Sequence, residues 1–376
     1  MILTAPELWV FVVNDSEFTA VGSIEQYTSL TWPDKYNGYD SFELYAPITD
    51  KNRELLKKEN MLWVKGKKAV RIEIIECEFD EEGERTYLVK GRTIESILES
   101  RIVWNSYSCT NKYTSTAMYD LVKENCVNPT LSYRKIPYLY CAEDTYIGKK
   151  IEYQETGGTV YESLVDLSQE EEIGFTIDFL PEEKKLIFRV YQGADFSDPS
   201  NSNCILLSTS MEDILSSDYY LNIQAERNVA LVTGEGTGAD RKRISVGDSS
   251  SAGFLRKELY VDARDLQSTI YKDDGTEETL TESEYLSNLT TRGLTDLSKC
   301  AVTQTFEAQI RTLNGQYEFG VDYNNGDKIL MQDTVLGLQV AGRITNVVYT
   351  YGKTNRLTLT FGYSQPSFIE RLKQSL

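Results

Sequence analysis

The stretch Tyr317–Phe368 constrains the chain most, because its pattern is that of strands joined by tight turns. It reads YEFGVDYNNGDKILMQDTVLGLQVAGRITNVVYTYGKTNRLTLTFGYSQPSF. Leu357, Leu359 and Phe361 alternate with Thr358 and Thr360, the period of two expected of a strand with one buried face. Asn325-Gly326 predicts a two-residue type I′ hairpin turn, which needs positive φ at both central positions. Gly352-Lys353-Thr354-Asn355 predicts a second turn of the same kind. Such strands close into a small barrel or sandwich more readily than they lie in an open sheet, since closure removes exposed edges.

The whole chain has 376 residues, enough for two to four domains. In order, Leu8–Asn14 and Ile24–Trp32 read as strands, the second stopped by Pro33. Phe42, Leu44 and Ala46 alternate toward a core until Pro47. Asp50 is read as the cap of a short helix reaching Lys58. Met61–Val64 and Val70–Phe79 follow as strands. In the second, the apolar set slips from Val70, Ile72 and Ile74 to Ile75, Cys77 and Phe79, which predicts a bulge. Gly83 lies in the acidic turn Asp80-Glu81-Glu82, and Tyr87–Lys90 returns.

From Thr93 the period changes. Ile94, Ile97 and Leu98 fit one helical face, and Arg101–Trp104 reads as a strand. Ala117, Met118, Leu121 and Val122 form a second helical stripe, ended by Asn128-Pro129. Thr159 and Glu162 make a capping box ahead of Leu164 and Leu167, with Gly174 as the stop. Phe175–Leu180 and Lys185–Tyr191 predict a hairpin around Pro181-Glu182-Glu183. Gly193–Asn203 (GADFSDPSNSN) is the linker candidate. Strands return over Tyr219–Thr233 and Lys257–Val261, with Gly247–Gly253 a flexible tip. Thr281 and Glu284 start another capping-box helix, with Leu286, Leu289, Leu294 and Leu297 on one face. Val302–Ile310 is again β, and Ile369–Leu376 reads as a short terminal helix.

Histidine is absent from the sequence. That excludes Ser-His and Cys-His nucleophile pairs, histidine-ligated metals and H-E-x-x-H proteases together. The six cysteines are scattered without a C-x-x-C pair, which argues against zinc and for reduced structural thiols. The net charge of −19, from 58 acids and 39 bases, excludes a surface that captures nucleic-acid phosphates. Acidic runs such as Glu170-Glu171-Glu172 read as solvated faces. Met1–Asn14 lacks a basic leader region, and no apolar run approaches the roughly 20 residues of a membrane span.

Three chemistries are weighed and set aside. Gly234-Glu235-Gly236-Thr237-Gly238 invites a phosphate cradle. No Gly-Lys-Ser/Thr follows, and Glu235 puts negative charge in the loop, so a flexible hairpin tip is expected. Glu73, Glu76, Asp178, Asp322 and Asp327 offer carboxylate pairs for glycoside cleavage, but Asp327 is more simply a turn residue. Asp195, Asp198 and the run Tyr271-Lys272-Asp273-Asp274-Gly275 supply oxygen ligands, though neither matches an EF-hand loop. No catalytic, cofactor-binding or metal-ligating residue is therefore expected. The 25 tyrosines, against 13 phenylalanines, suit strands and protein interfaces.

FGVDYNNGDKI, GRITNVVYTY and LTLTFG resemble the last barrel of siphophage tail-associated hub proteins, the Gp37-like group. Matching pieces recur in order: Tyr39–Leu44, Gly91-Arg92 with Ile94–Leu98, Arg227–Val232, and Gly234-Glu235-Gly236. The resemblance covers nearly the whole chain. That group is similar in fold to the hub of contractile-tail baseplates and to the tail-associated-lysin N-terminal region. With the pattern above, it implies a mainly β chain with α+β insertions and two small barrels related by internal duplication. The expected domains are residues 1–92, a first β-barrel; 93–203, an α+β middle domain; and 204–376, a second barrel with a helical insertion near 281–300 and a short C-terminal helix.

The resemblance further implies a structural hub of the baseplate or tail tip, in the virion tail, made in the bacterial host cytoplasm. A homotrimer would present six similar barrels to a hexameric tube and surround the central channel. Implied partners are the tail tube protein, the distal tail protein, the tape measure protein and a distal spike or fibre. The chain stops soon after its last barrel strand, which implies no attached lytic domain. A carbohydrate-active β-protein, hydrolase or glycan-binding module, is the alternative.

Overall fold

The computed structural model describes residues 3–79, 85–271, 277–300, 302–312 and 315–362. Seven strands open the chain: β1 (Leu8–Val13), β2 (Phe18–Ile24), β3 (Ser29–Lys35), β4 (Ser41–Pro47), β5 (Met61–Trp63), β6 (Val70–Phe79) and β7 (Arg85–Thr93). In β4 the expected alternation is the buried face, Phe42, Leu44 and Ala46. The bulge expected in β6 is present, since its pairing with β7 slips between Ile72 and Ile74. The acidic turn with Gly83 lies outside the described residues. The short helix α1 (Asp50–Leu55) is capped by Thr49, not Asp50: the Thr49 hydroxyl accepts the Asn52 N–H at 3.1 Å.

The middle of the chain holds β8 (Tyr107–Tyr113), α2 (Thr114–Val122), β9 (Leu139–Cys141), β10 (Lys150–Glu155), α3 (Val160–Glu170), β11 (Gly174–Leu180) and β12 (Lys185–Tyr191). Ile94–Ser100 winds as a tighter 3₁₀ helix. Arg101–Trp104 is no strand; it makes one bridge, Ile102 to Thr159. β8 pairs with β10, while β11, β12 and β9 form a second small sheet. The α3 capping box forms as expected between Thr159 and Glu162. Helix α3 ends before Gly174, because Glu172 takes the left-handed turn at φ 51°. Gly174 opens β11 instead.

The last third begins with β13 (Leu206–Ser208) and β14 (Ile214–Asn222). An inserted unit follows: β15 (Val229–Thr233), β16 (Arg243–Gly247), β17 (Glu258–Asp262), β18 (Thr269–Tyr271), β19 (Glu277–Thr279) and helix α4 (Glu282–Lys299). The chain closes with β20 (Thr303–Ile310), β21 (Lys328–Asp333), β22 (Leu338–Tyr351) and β23 (Arg356–Gly362). Residues 369–376, expected as a helix, lie outside the described residues.

Strands from both ends share one sheet. Its order is β14-β20-β23-β22-β3-β4-β7-β6-β5-β1-β2, with β21 and β13 branching from β22. The join is β22 on β3, antiparallel from Asn346 opposite Lys35 to Tyr351 opposite Leu30. Its register explains why Pro33 does not end β3. The Tyr36 N–H bonds to Thr345, so Pro33 and Val348 fall on a pair without mutual bonds. On its other side β3 pairs with β4 only over Ser29–Thr31. The missing Pro33 N–H therefore leaves no gap in either ladder.

The turns differ from expectation for local reasons. Asp327 N–H bonds to Asn324 O at 3.1 Å, and only Gly326 has positive φ, at 93°. That is a type II turn rather than type I′. The β22–β23 connection, Gly352–Asn355, has no positive φ and is held by Gly352 N–H on the Asn355 side chain at 3.2 Å. The segment Gly193–Asn203 is pinned at its start rather than free: Ala194 N–H bonds to Asp327 at 2.7 Å, and Phe196 N–H to Lys328 O at 2.7 Å.

Three apolar clusters fill the interior among the described residues. One takes Trp32, Phe42 and Leu44 together with Val347, Leu357 and Phe361, so both ends of the chain build it. A second packs Phe11 and Phe18 against Phe179 and the helices α2 and α3. The third is small and lies between α4 and the sheet β16-β15-β17. On α4 the buried stripe is Tyr285, Leu289, Gly293 and Leu297, in steps of four. Leu294, expected on that face, is 41% exposed. Gly293 takes its place because a Cβ there would sit 2.4 Å from Val232 and 2.6 Å from Val246.

Candidate functional site

The glycine-rich loop is the tip of the β15–β16 hairpin, as expected, but in the inserted sheet rather than in a barrel. The amides at its base are spent on neighbours, beginning with Gly234 N–H on Lys242 O at 2.9 Å. Glu235 N–H donates to the Tyr285 hydroxyl at 2.8 Å, and the Glu235 carboxylate accepts from Ser268 N–H at 3.1 Å. Arg241 reaches back to the carbonyls of Gly234 and Thr233 and to Asp262. A phosphate would meet the Glu235 carboxylate there.

Each acidic candidate holds its own surroundings together. Glu73 accepts two bonds from Arg92, both at 2.8 Å, and Asp178 two from Arg189 at 3.0 and 3.1 Å. Glu76 lies 3.9 Å from Lys90. Asp322 accepts Glu318 N–H, and Asp327 accepts Ala194 and Asn324 N–H, each at 2.7 Å. Asp195 and Asp198 close turns on Ser197 and Ser200, whose hydroxyl and amide bonds lower both carboxyl pKa values. Residues 272–275 lie outside the described residues. Among the described residues no three His, Cys, Asp or Glu gather for a metal. All six cysteines are free; burial raises Cys126 to about 12 and Cys141 to about 11, which keeps these two protonated.

What the structure does build is a junction around Tyr36, which sequence reasoning did not single out. Tyr36 is 1% exposed. Its hydroxyl lies 3.2 Å from Glu172 O and 3.4 Å from Tyr191 O, and accepts Gly193 N–H at 3.3 Å. Its carbonyl accepts Phe175 N–H at 3.1 Å. Two glycines make room for the ring: a Cβ on Gly174 or Gly326 would sit 2.4 or 2.3 Å from Cε2. One side chain thus ties β3, the β11–β12 sheet and the turn before β21. Burial raises its phenol pKa and keeps it a neutral donor.

Beside it, Glu95 is fully buried and meets Lys68 at 3.0 Å; Lys68 also meets Asp34 at 3.5 Å. Desolvation works against the Lys68 charge, but the two carboxylates outweigh it and raise its pKa. Glu95 also accepts from Thr176 Oγ1 at 3.0 Å and Ile177 N–H at 3.2 Å. A cavity of about 600 Å³ opens alongside, lined by Asp34, Lys67, Arg189, Trp63, Phe179 and Tyr349 among others. It lies where strands from both ends of the chain meet the middle sheet.

These features define a mainly β protein in which the polar groups described tie its strand sets together. The fold is that of tail proteins. A tail protein from Neisseria meningitidis MC58 is similar at 13% identity, over 96% of this chain and 97% of that one, with a TM-score of 0.55. The prophage tail protein gp18 from Listeria monocytogenes EGD-e gives 11%, 99%, 98% and 0.53 in the same order. The prophage MuSo2 43 kDa tail protein from Shewanella oneidensis gives 12%, 95%, 97% and 0.51. The chain belongs to the family described as Siphovirus ReqiPepy6 Gp37-like protein, whose model matches residues 7–363. None of the curated proteins compared matches it. Family and fold together support a structural role in a phage tail. Among the described residues no helix is long and apolar enough to cross a membrane.

Proposed function

We propose that the chain is the hub of a phage baseplate or tail tip. Three copies form a ring that joins the hexameric tail tube to the distal tip and surrounds the central channel. The observation that carries this reading is the pairing of β22 with β3. It locks the first and last strand sets of one subunit into a rigid unit with a shared core. Under closed threefold rotation, two such sets per chain give six positions, which matches a hexameric partner. Residues 1–92 and 204–376 supply the two barrel-like sets, and 93–203 the α+β unit between them. The partners are the tail tube, distal tail and tape measure proteins and a distal spike or fibre, and the role is structural rather than enzymatic.

The channel side is at least as acidic as the rest of a chain carrying −19, so that DNA passes without sticking. Like charges repel within the screening length of about 8–10 Å, and no basic wall releases counterions. Mass photometry and electron microscopy of the chain with its distal tail partner test the reading. A ring of three subunits is expected; a monomer in the assembled complex overturns it. A basic lumen, or salt-sensitive DNA binding, overturns the conduit alone.

A further inference from the structure

We infer that the cavity beside Tyr36 is a socket for an acidic–apolar segment of a neighbouring tail protein, with an Asp or Glu carboxylate on Lys67 and an apolar side chain against the rings around it. The inference rests on the hub reading only for where the segment comes from.

Among the described residues three cations line the cavity, and two already have counter-ions. Lys68 meets Glu95 and Asp34, and Arg189 meets Asp178. Lys67 has no carboxylate at ion-pair distance among the described residues. Its ammonium instead sits 2.8 Å from the centroid of the Tyr349 ring, which returns only part of what desolvation takes away. Burial also lowers its pKa to about 7, against the pull of Asp34. A turn with Gly66 at φ 80° and the Lys67 N–H on Val64 O at 3.0 Å fixes its backbone.

The rest of the lining fits the same occupant. Trp63, Phe179, Tyr191 and Phe319 give an aromatic wall. Asn325 donates to Asp34 O at 2.8 Å, and its buried Oδ1 has no partner among the described residues. The volume of about 600 Å³ lies in the usual range for ligand sites, about 300–1,000 Å³. Of the cations in the lining, Lys67 is the one without a carboxylate at ion-pair distance among the described residues, so a single entering carboxylate has one place to bind. A phosphate dianion would leave charge uncompensated beside Asp34 and Asp178.

The test uses the tripeptide acetyl-Phe-Asp-Phe-amide and its neutral isostere acetyl-Phe-Asn-Phe-amide, titrated by calorimetry and by the fluorescence of Trp63, with Trp63→Phe assigning the signal. The Asp peptide should bind saturably and at least tenfold more tightly than the Asn peptide. Lys67→Met should abolish that preference without lowering Tm, and Lys67→Gln repeats the test with a polar isostere. Binding should tighten from pH 8 to pH 6 with proton uptake at Lys67, whose charged and titratable neighbours are Asp34, Glu95, Lys68, Asp178, Arg189, Tyr191 and Tyr349. Equal binding of the two peptides, binding of neither, or a preference that survives both variants overturns the socket. A chain that binds the Asp peptide but never forms rings sinks the hub reading alone. A chain that forms rings but ignores the peptide sinks only the socket.

Discussion

The ring of Tyr36 fills the space beside Gly326: a Cβ on residue 326 would sit 2.3 Å from Tyr36 Cε2, on a backbone already at φ 93°. Gly326→Ala therefore combines left-handed strain with overpacking and should cost about 2–4 kcal/mol in urea unfolding. Gly66 has a similar φ of 80° but open space around it. Gly66→Ala should cost only about 1 kcal/mol. Equal losses at the two sites would show that the ring is free to move.

Lys68 and Glu95 are a buried pair, 7% and 0% exposed at their side chains. Lys68→Met leaves Glu95 as an uncompensated charge and should cost about 3–5 kcal/mol. Adding Glu95→Gln removes the charge and keeps an acceptor for Ile177 and Thr176. The double variant should recover more than half of that loss, measured by denaturant midpoint at unchanged slope.

Lys67 gives a pH signature of defined sign. Its folded pKa of about 7 lies below the ordinary lysine value of 10.5. Between these values the unfolded chain holds more protons, so this group makes stability rise with pH from about 7 to about 10. Below pH 7 its penalty is fully present. Buried thiols such as Cys126, raised by desolvation to about 12, act in the opposite direction over part of this range. The comparison must be with Lys67→Met: the stability difference between variant and wild type should shrink as pH rises from 7 to 10. A constant difference would contradict a desolvated ammonium.

Helix α4 offers a contrast of adjacent faces. Leu289 is fully buried against Val232 and its neighbours, while Leu294 is 41% exposed. Leu289→Ala should cost about 2–5 kcal/mol, and Leu294→Gln should stay within about 0.5 kcal/mol, both read by thermal unfolding.

What sequence made legible was local. Thr159 with Glu162, and Thr281 with Glu284, announce their helices because every group in a capping box lies within four residues. The alternation of β4 and β23 is likewise written in consecutive letters. The join of β3 to β22 is not, because a strand edge carries no address for a distant partner. Tyr36 was hidden for the same reason: it is one tyrosine among 25. The glycines that receive its ring read more simply as a helix stop and a hairpin turn. Leu294 was misplaced because a stripe of leucines drew attention from Gly293, whose lack of a side chain is what permits contact. Of the cavity, nothing distinguished Lys67 from Lys68; only the fold decides which of two neighbours finds counter-ions.

The pairing of Asn346 with Lys35 also sets a timetable. During synthesis, β3 emerges early and must wait for nearly the whole chain before β22 can cover its edge. Contacts so distant in sequence slow folding, and an uncovered strand edge invites wrong partners. A chain broken off before β22 would keep that edge open. Only a chain extended through β22 therefore closes that edge and completes the core that both of its ends share.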